Sequence, residues 1–265
     1  MIQPNGRNHR KVVRPFSCPY DSSVIAAIRS LLTYVAISAY VLIVGPIVLS
    51  IALLFGNVSI LYSAGRGGVR LGLILSGVKL RIEGTENILR DRAAVYAVNH
   101  TSNVEPPILF EALHELFPRL RVLYKAELRK LPILVRAWDL AGFVPLERGN
   151  REQSLPAIDR AARALRDGNS FLIFPEGTRS RTGALLPFKK GGFIMAIQAQ
   201  APIVPVAISG AHAAMHKGSL VIQPVTVQVR IGEPVETAGM TVTDRDTLSA
   251  VVRGKVERLL AEGSP

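Results

Sequence analysis

Residues 93–107 read AAVYAVNHTSNVEPP, and the reading of this run decides the kind of fold to expect. Residues 93–98 are apolar or aromatic and rich in valine, which is the signature of a short buried strand. Behind them stand Asn99 and His100, then the turn formers Thr101, Ser102 and Asn103. Pro106 and Pro107 follow at what reads as a helix start, where proline's missing amide leaves no bond unmade. Strand, turn and helix in succession form one unit of an α/β fold, with His100 at the strand end. The pattern repeats on either side. Strands are predicted over 80–83, 121–124, 143–146, 170–174 and 203–208, with a later pair within 220–231. Helices are predicted over 107–116, 128–140, 152–167, 191–200 and 243–261, the last carrying an apolar stripe of Leu248, Val252, Val256, Leu259 and Leu260. Together they predict a largely parallel sheet flanked by helices, with the chemistry beyond the strand ends.

Ahead of this domain lies a different kind of sequence. No charged residue occurs between Arg29 and Arg66, and residues 31–55 are dominated by Leu, Val, Ile and Ala. As a helix these would measure ~37 Å, more than the ~30 Å of hydrocarbon in a bilayer. Pro46, and Gly56 with Asn57, are the places where the run is expected to kink or break. The chain is therefore divided into a basic arm over 1–30, a membrane-embedded or re-entrant helical segment over 31–79 and an α/β domain over 80–265. Residues 69–78 (VRLGLILSGV) read as a second, interfacial helix. Arg7, Arg10, Lys11, Arg14 and Arg29 precede the apolar run, and Arg66, Arg70 and Lys79 follow it. With both flanks basic, the positive-inside rule does not choose one end for the cytoplasm; the economical reading has both ends cytoplasmic, with a segment that enters and leaves the same leaflet or forms a tight hairpin, and a single tilted span is the alternative.

The chain of 265 residues has a net charge of +12 with 48% hydrophobic residues, so it is a folded protein with an anionic partner. Nucleic acid is disfavoured: only 6% of residues are aromatic, and neither a basic helix nor a stacking platform is evident. Cys18 is the sole cysteine, which excludes an intrachain disulfide and a thiolate-rich metal site. His212 and His216 are four apart, but no nearby carboxylate completes a metal site, so no metal is expected.

Three further stretches complement His100. Glu105 follows it by five residues; a turn between them would set a carboxylate on one imidazole nitrogen and leave the other to accept a proton. Taken alone, a histidine followed by an acid is more often structural. Residues 174–180 read FPEGTRS after an apolar strand; glycine allows close backbone approach, and Arg179 offers a bidentate fork for phosphate. Taken alone, that stretch is also compatible with an ordinary tight turn. Residues 142–148 read GFVPLER, another strand ending in an arginine, Arg148.

In this order and spacing, the stretches resemble the glycerolipid acyltransferase family that includes the 1-acyl-glycerol-3-phosphate acyltransferases, over roughly residues 80–235. The resemblance implies that His100 is the general base and Glu105 its partner. It assigns acceptor binding to Glu176, Gly177, Thr178 and Arg179, and phosphate binding to Arg148 and Lys125. Two departures stand out: the family's usual acid is aspartate where this chain has Glu105, and Pro145 occupies a position that is often aromatic. A glutamate is one methylene longer, so its bond to His100 calls for an altered rotamer or backbone.

The implied activity is transfer of an acyl group from an acyl thioester, acyl-CoA or acyl-carrier protein, to the hydroxyl of lysophosphatidic acid, giving phosphatidic acid without a cofactor. Other acceptors in the same class are glycerol-3-phosphate and other lysolipids; a non-catalytic membrane-surface protein of the same fold is the alternative outside it. Backbone amides of the His100 turn or the motif glycines are the candidate oxyanion donors. Because thioester donors are cytoplasmic, a membrane-associated enzyme with its site on the cytoplasmic face is expected. Arg119, Arg121, Arg129, Lys130, Arg136, Lys189 and Lys190 are available to meet membrane lipids or the phosphates of a donor.

Overall fold

The computed structural model describes residues 19–130, 132–147 and 151–263. Arg148 and the basic residues at 7–14 lie outside them.

The chain opens with α1 (Pro19–Phe55) and α2 (Ser59–Ser76). α1 begins well before the apolar run and continues through Pro46, so the expected break there does not occur. Apolar helices tolerate an internal proline where neighbouring groups take up the freed carbonyl. The break comes instead at Gly56, with φ +64°, and Asn57 Oδ1 then accepts the Ser59 amide at 3.0 Å to start the next helix. α2 also starts ten residues earlier than the helix read at 69–78, and it includes Gly65-Arg66-Gly67-Gly68. These glycines are packing positions: a Cβ at Gly68 would lie 3.1 Å from the Tyr40 ring of α1, and the Tyr40 hydroxyl donates to the Ala64 carbonyl at 2.9 Å. Leu42, Ile43, Leu53, Leu54 and Phe55 are all more than half exposed on α1. Residues 23–55 form a helix long and apolar enough to cross a membrane, with a peak mean hydropathy of 2.5. At ~1.5 Å per residue, this unburied apolar surface marks a membrane-associated segment and a candidate anchor.

α2 is nevertheless bound to the globular part. Arg66 pairs with Glu111 through two bonds, of 2.9 and 3.0 Å, and Arg70 joins the same carboxylate at 3.0 Å. These arginines therefore face the protein as well as flanking the apolar run.

The remaining elements are β1 (Lys79–Glu83), β2 (Val95–Val98), α3 (Glu105–Ala112), β3 (Leu120–Lys125), α4 (Pro132–Leu140), β4 (Val144–Leu146), α5 (Arg151–Arg166), β5 (Ser170–Ile173), α6 (Gly191–Ala199), β6 (Ile203–Ser209), α7 (Ala211–Ala214), β7 (Thr226–Ile231) and α8 (Arg245–Glu262). The sheet order is β1-β7-β6-β2-β5-β3-β4, parallel throughout except where β6 meets β7. β2 lies at the centre, with Val95 opposite Phe171 on one side and Ile203 on the other. Its side chains alternate between two cores: Tyr96 and Val98 pack with Ile108 and Leu109 of α3, while Val95 and Ala97 pack with Phe193 and with Leu248, Val252 and Val256 of α8. A strand covered on both faces reads as an unbroken apolar run, as β2 does.

Two sequence expectations fail locally. Residues 126–130 form a 3-10 turn, and α4 starts only at Pro132. Where a pair of strands was expected within 220–231 there is one, β7. Pro224 lacks an amide, and α1 takes backbone groups a strand would need: Ser30 Oγ accepts the Ile222 amide at 2.8 Å, and the Tyr34 hydroxyl donates to the Leu220 carbonyl at 2.9 Å.

Candidate active site

β2, β5, β3 and β4 run parallel, so their carboxyl ends share one edge of the sheet, where crossing connections leave room for a ligand. His100 stands two residues beyond the end of β2, after Asn99. Asn99 anchors the departure, exchanging bonds of 3.0 and 2.7 Å with the backbone of Ile208 on β6. The chain then turns through residues 101–104, and Glu105 is the first residue of α3.

Glu105 is fully buried. Its Oε2 lies 2.6 Å from His100 Nδ1. Its Oε1 accepts the Thr101 amide at 2.8 Å, the Thr101 hydroxyl at 2.6 Å and the Ser102 amide at 3.0 Å. The longer side chain thus reaches the imidazole from the first helical turn, where the positive end of α3 also favours a carboxylate. A carboxylate oxygen facing Nδ1 sets the ring proton on that nitrogen and leaves Nε2 as an acceptor. The ring stacks on Phe174, with centroids 4.1 Å apart, which limits its rotation.

The loop after β5 is tied to this turn by Glu176, whose carboxylate is buried and points inward. Oε1 accepts the His100 amide at 2.6 Å, Oε2 accepts the Leu186 amide at 2.9 Å, and the Ser180 amide donates to the His100 carbonyl at 2.7 Å. Burial holds the Glu176 carboxyl above its usual range, a tendency opposed by those two backbone bonds and reinforced by the nearby Glu105. Glu176 therefore clamps two loops together. Gly177 has φ +68°, a conformation that favours glycine, and a Cβ there would lie 2.8 Å from Cε of Lys189, so the end of that side chain would have to move aside. Thr178 is exposed beside it, and Arg179 is partly exposed. Next to the loop a cleft of about 460 Å³ is lined by Leu123, Leu146, Ile158, Ile173, Phe174 and Lys189.

The structure thus brings His100, Glu105, Glu176, Gly177, Thr178 and Arg179 together. Lys125 ends β3, two strands from β2, and pairs with Glu127 at 2.8 Å. Arg148 is outside the described residues. The expected oxyanion donors are already engaged: the amides of Thr101 and Ser102 serve Glu105, that of His100 serves Glu176, and those of Gly142 and Gly177 donate to Asp139 and Phe174 carbonyls. Several surface cations are also committed, Arg129 to Asp139, Lys190 to Asp246, and Arg119 and Arg121 to backbone carbonyls. His212 and His216 meet at 3.2 Å, and no group of three or more metal-ligating side chains occurs among the described residues. Sequence reasoning missed the grip of Thr101 and Ser102 on Glu105, although two hydroxyl residues between the histidine and the acid were a visible cue.

The profile of the family described as "Acyltransferase" matches residues 79–209. The chain is 36% identical over 170 residues to the 1-acyl-sn-glycerol-3-phosphate acyltransferase of Cocos nucifera, covering 63% of this chain and 53% of that protein. It is 34% identical over 172 residues to the enzyme of the same name from Limnanthes douglasii, covering 64% and 59%. The chain thus spans little more than half the length of these two relatives. The crystal structure of the 1-acyl-sn-glycerophosphate (LPA) acyltransferase PlsC from Thermotoga maritima superposes with a TM-score of 0.74 at 26% identity, covering 89% of this chain and 98% of that one. The matched segment runs from β1 to the end of β6 and includes the His100 turn and the Glu176 loop, and the chain belongs to the acyltransferase family.

Proposed function

We propose that the chain transfers an acyl group from an acyl thioester to the free hydroxyl of lysophosphatidic acid, forming phosphatidic acid. The observation that carries this reading is the clamp that joins the base and the phosphate-binding loop: His100 bonds Glu105 through its ring and Glu176 through its amide.

A lipid hydroxyl is a weak nucleophile because its pKa lies far above neutrality. His100 Nε2 accepts its proton as the oxygen attacks the thioester carbon, and Glu105 stabilises the imidazolium that forms. The tetrahedral intermediate collapses with loss of the thiolate, which takes the proton from His100. Gly177, Thr178 and Arg179 hold the acceptor phosphate, with Arg148 and Lys125 as further cations, and Glu176 keeps their loop at a set distance from the base. The cleft beside Phe174 and Lys189 combines an apolar wall of Leu123, Leu146, Ile158 and Ile173, suited to the acyl part of the donor, with the charged Glu147, Lys190, Arg245 and Asp246. An activated ester and a positioned base suffice for this chemistry, so no cofactor or metal is invoked. Acyl-CoA and acyl-carrier protein are both cytoplasmic donors, and that supports a hairpin of α1 and α2 set into the cytoplasmic leaflet.

The test is thiol release from acyl-CoA by the detergent-purified chain, with lysophosphatidic acid as acceptor and His100→Ala alongside. Acceptor-dependent release that falls at least ~100-fold in the variant is expected for a lost general base. No release from folded wild type with either acyl-CoA or acyl-carrier protein would overturn the reading.

A further inference from the structure

Lys217 belongs to neither motif. It lies between α7 and β7, in a strap over residues 215–222. The strap is fastened on both sides: the Ser102 hydroxyl donates to the Met215 carbonyl at 2.8 Å, while Ser30 and Tyr34 of α1 hold Ile222 and Leu220 as described. Between these ties the Lys217 ammonium reaches the loop after β5, donating to Thr178 Oγ1 at 3.3 Å and to the Arg179 carbonyl at 3.0 Å.

Two consequences follow from donor geometry. An ammonium has three N–H bonds, and these contacts use two of them. A threonine hydroxyl that receives a lysine on its lone pair keeps its own hydrogen to donate elsewhere. The charges point the same way. Among the described residues, neither Arg179, Lys189 nor Lys217 forms an ion pair, and the loop's own carboxylate, Glu176, is turned inward onto backbone amides. Uncompensated cations grouped at one loop favour an anion.

We propose that Lys217 is a phosphate-binding residue of the acceptor site, presenting its third N–H to the phosphomonoester and aiming the Thr178 hydroxyl at the same group. This rests on the acceptor reading of the Gly177–Arg179 loop. It adds to that reading a residue delivered from the strap that α1 holds, and so gives the apolar helix a part in shaping the site.

The experiment measures binding, so it stands apart from catalysis. The detergent-solubilised full chain is titrated calorimetrically with lysophosphatidic acid and with the monoacylglycerol of the same acyl chain, for wild type, Lys217→Met and Lys217→Arg. Lysophosphatidic acid is expected to bind about tenfold more weakly to Lys217→Met, the effect of losing one charge-assisted contact, and within about twofold of wild type to Lys217→Arg. Monoacylglycerol affinity is expected to be the same in all three. Unchanged lysophosphatidic acid affinity in Lys217→Met would overturn the proposal, as would an equal loss for both lipids, which reports a displaced strap. A wild type that binds lysophosphatidic acid through Lys217 without transferring an acyl group would refute acyl transfer and leave this assignment standing.

Discussion

Glu105→Gln tests the proposed His100–Glu105 dyad with little change of shape. Oε1 receives two backbone amides, from Thr101 at 2.8 Å and Ser102 at 3.0 Å, which can only donate. The glutamine oxygen is therefore held at that position, and its NH2 falls on the Oε2 site, 2.6 Å from His100 Nδ1 in the wild type. A donor there requires a bare Nδ1, so the ring proton moves to Nε2, the atom that must accept the substrate's proton. Flipping the amide would restore the tautomer but set NH2 against both backbone donors. Each buried donor left unpaired costs about 1–3 kcal/mol, so the flip costs about 2–6 kcal/mol for the pair. At ~1.4 kcal/mol per decade, the competent form is disfavoured ~30-fold to ~10⁴-fold. The expected kcat loss falls in that interval, close to the ~10² to 10⁴ attributed to a general base, with the acceptor KM little changed. Thiol release at saturating lysophosphatidic acid measures it, and thermal unfolding should show a Tm within several degrees of wild type. A variant that keeps more than a tenth of the wild-type kcat would refute the tautomer argument.

Three other outcomes are expected. Gly177→Ala places a Cβ at φ +68° and against Lys189, a backbone cost of ~1–2 kcal/mol before the lysine moves, and should raise the acceptor KM about tenfold; an unchanged KM would contradict the tight loop. Glu111→Gln leaves Arg66 and Arg70 without their shared carboxylate, so α2 should loosen from α3 at a cost of ~1–3 kcal/mol, read as faster proteolysis near residues 56–58. Glu176 titrates above its ordinary 4.5, so just above that pH the native state holds more protons than the unfolded chain. Its contribution to stability therefore declines as pH rises through that window, and the stability difference between wild type and Glu176→Gln should decline with it; a difference that grew with pH would show the sign to be wrong.

Much of this was legible in the residues, for identifiable reasons. The β2 strand, the turn and α3 announced themselves because a strand buried on both faces is apolar without interruption, and because paired prolines belong in a first helical turn. The α8 stripe was equally plain: Leu248, Val252 and Val256 sit one turn apart, and all three are buried. What stayed hidden depended on partners far away in the chain. Gly65, Gly67 and Gly68 carry no fingerprint in the sequence, and their use shows only when the Phe110 ring is seen against the first and Tyr40 against the other two. Residues 220–225 look like a strand until Ser30 and Tyr34 take their backbone groups. The resemblance put Glu176 among the acceptor-binding residues, yet its carboxylate is turned inward by amides 76 residues before it and 10 after it.

The Glu176 clamp has a consequence for which acceptors the site can use. Because the same residue, His100, is held by its amide to Glu176 and by its carbonyl to Ser180, the proposed base and the proposed phosphate grip would act as the two jaws of a caliper locked at one opening. Such a gauge would measure the span from hydroxyl to phosphate and would be indifferent to how long the acyl tail is. A descendant of this chain that came to accept a longer headgroup would have to change at the margins, in the strap around Lys217 or in the segment leading to Arg148, and leave the jaws alone.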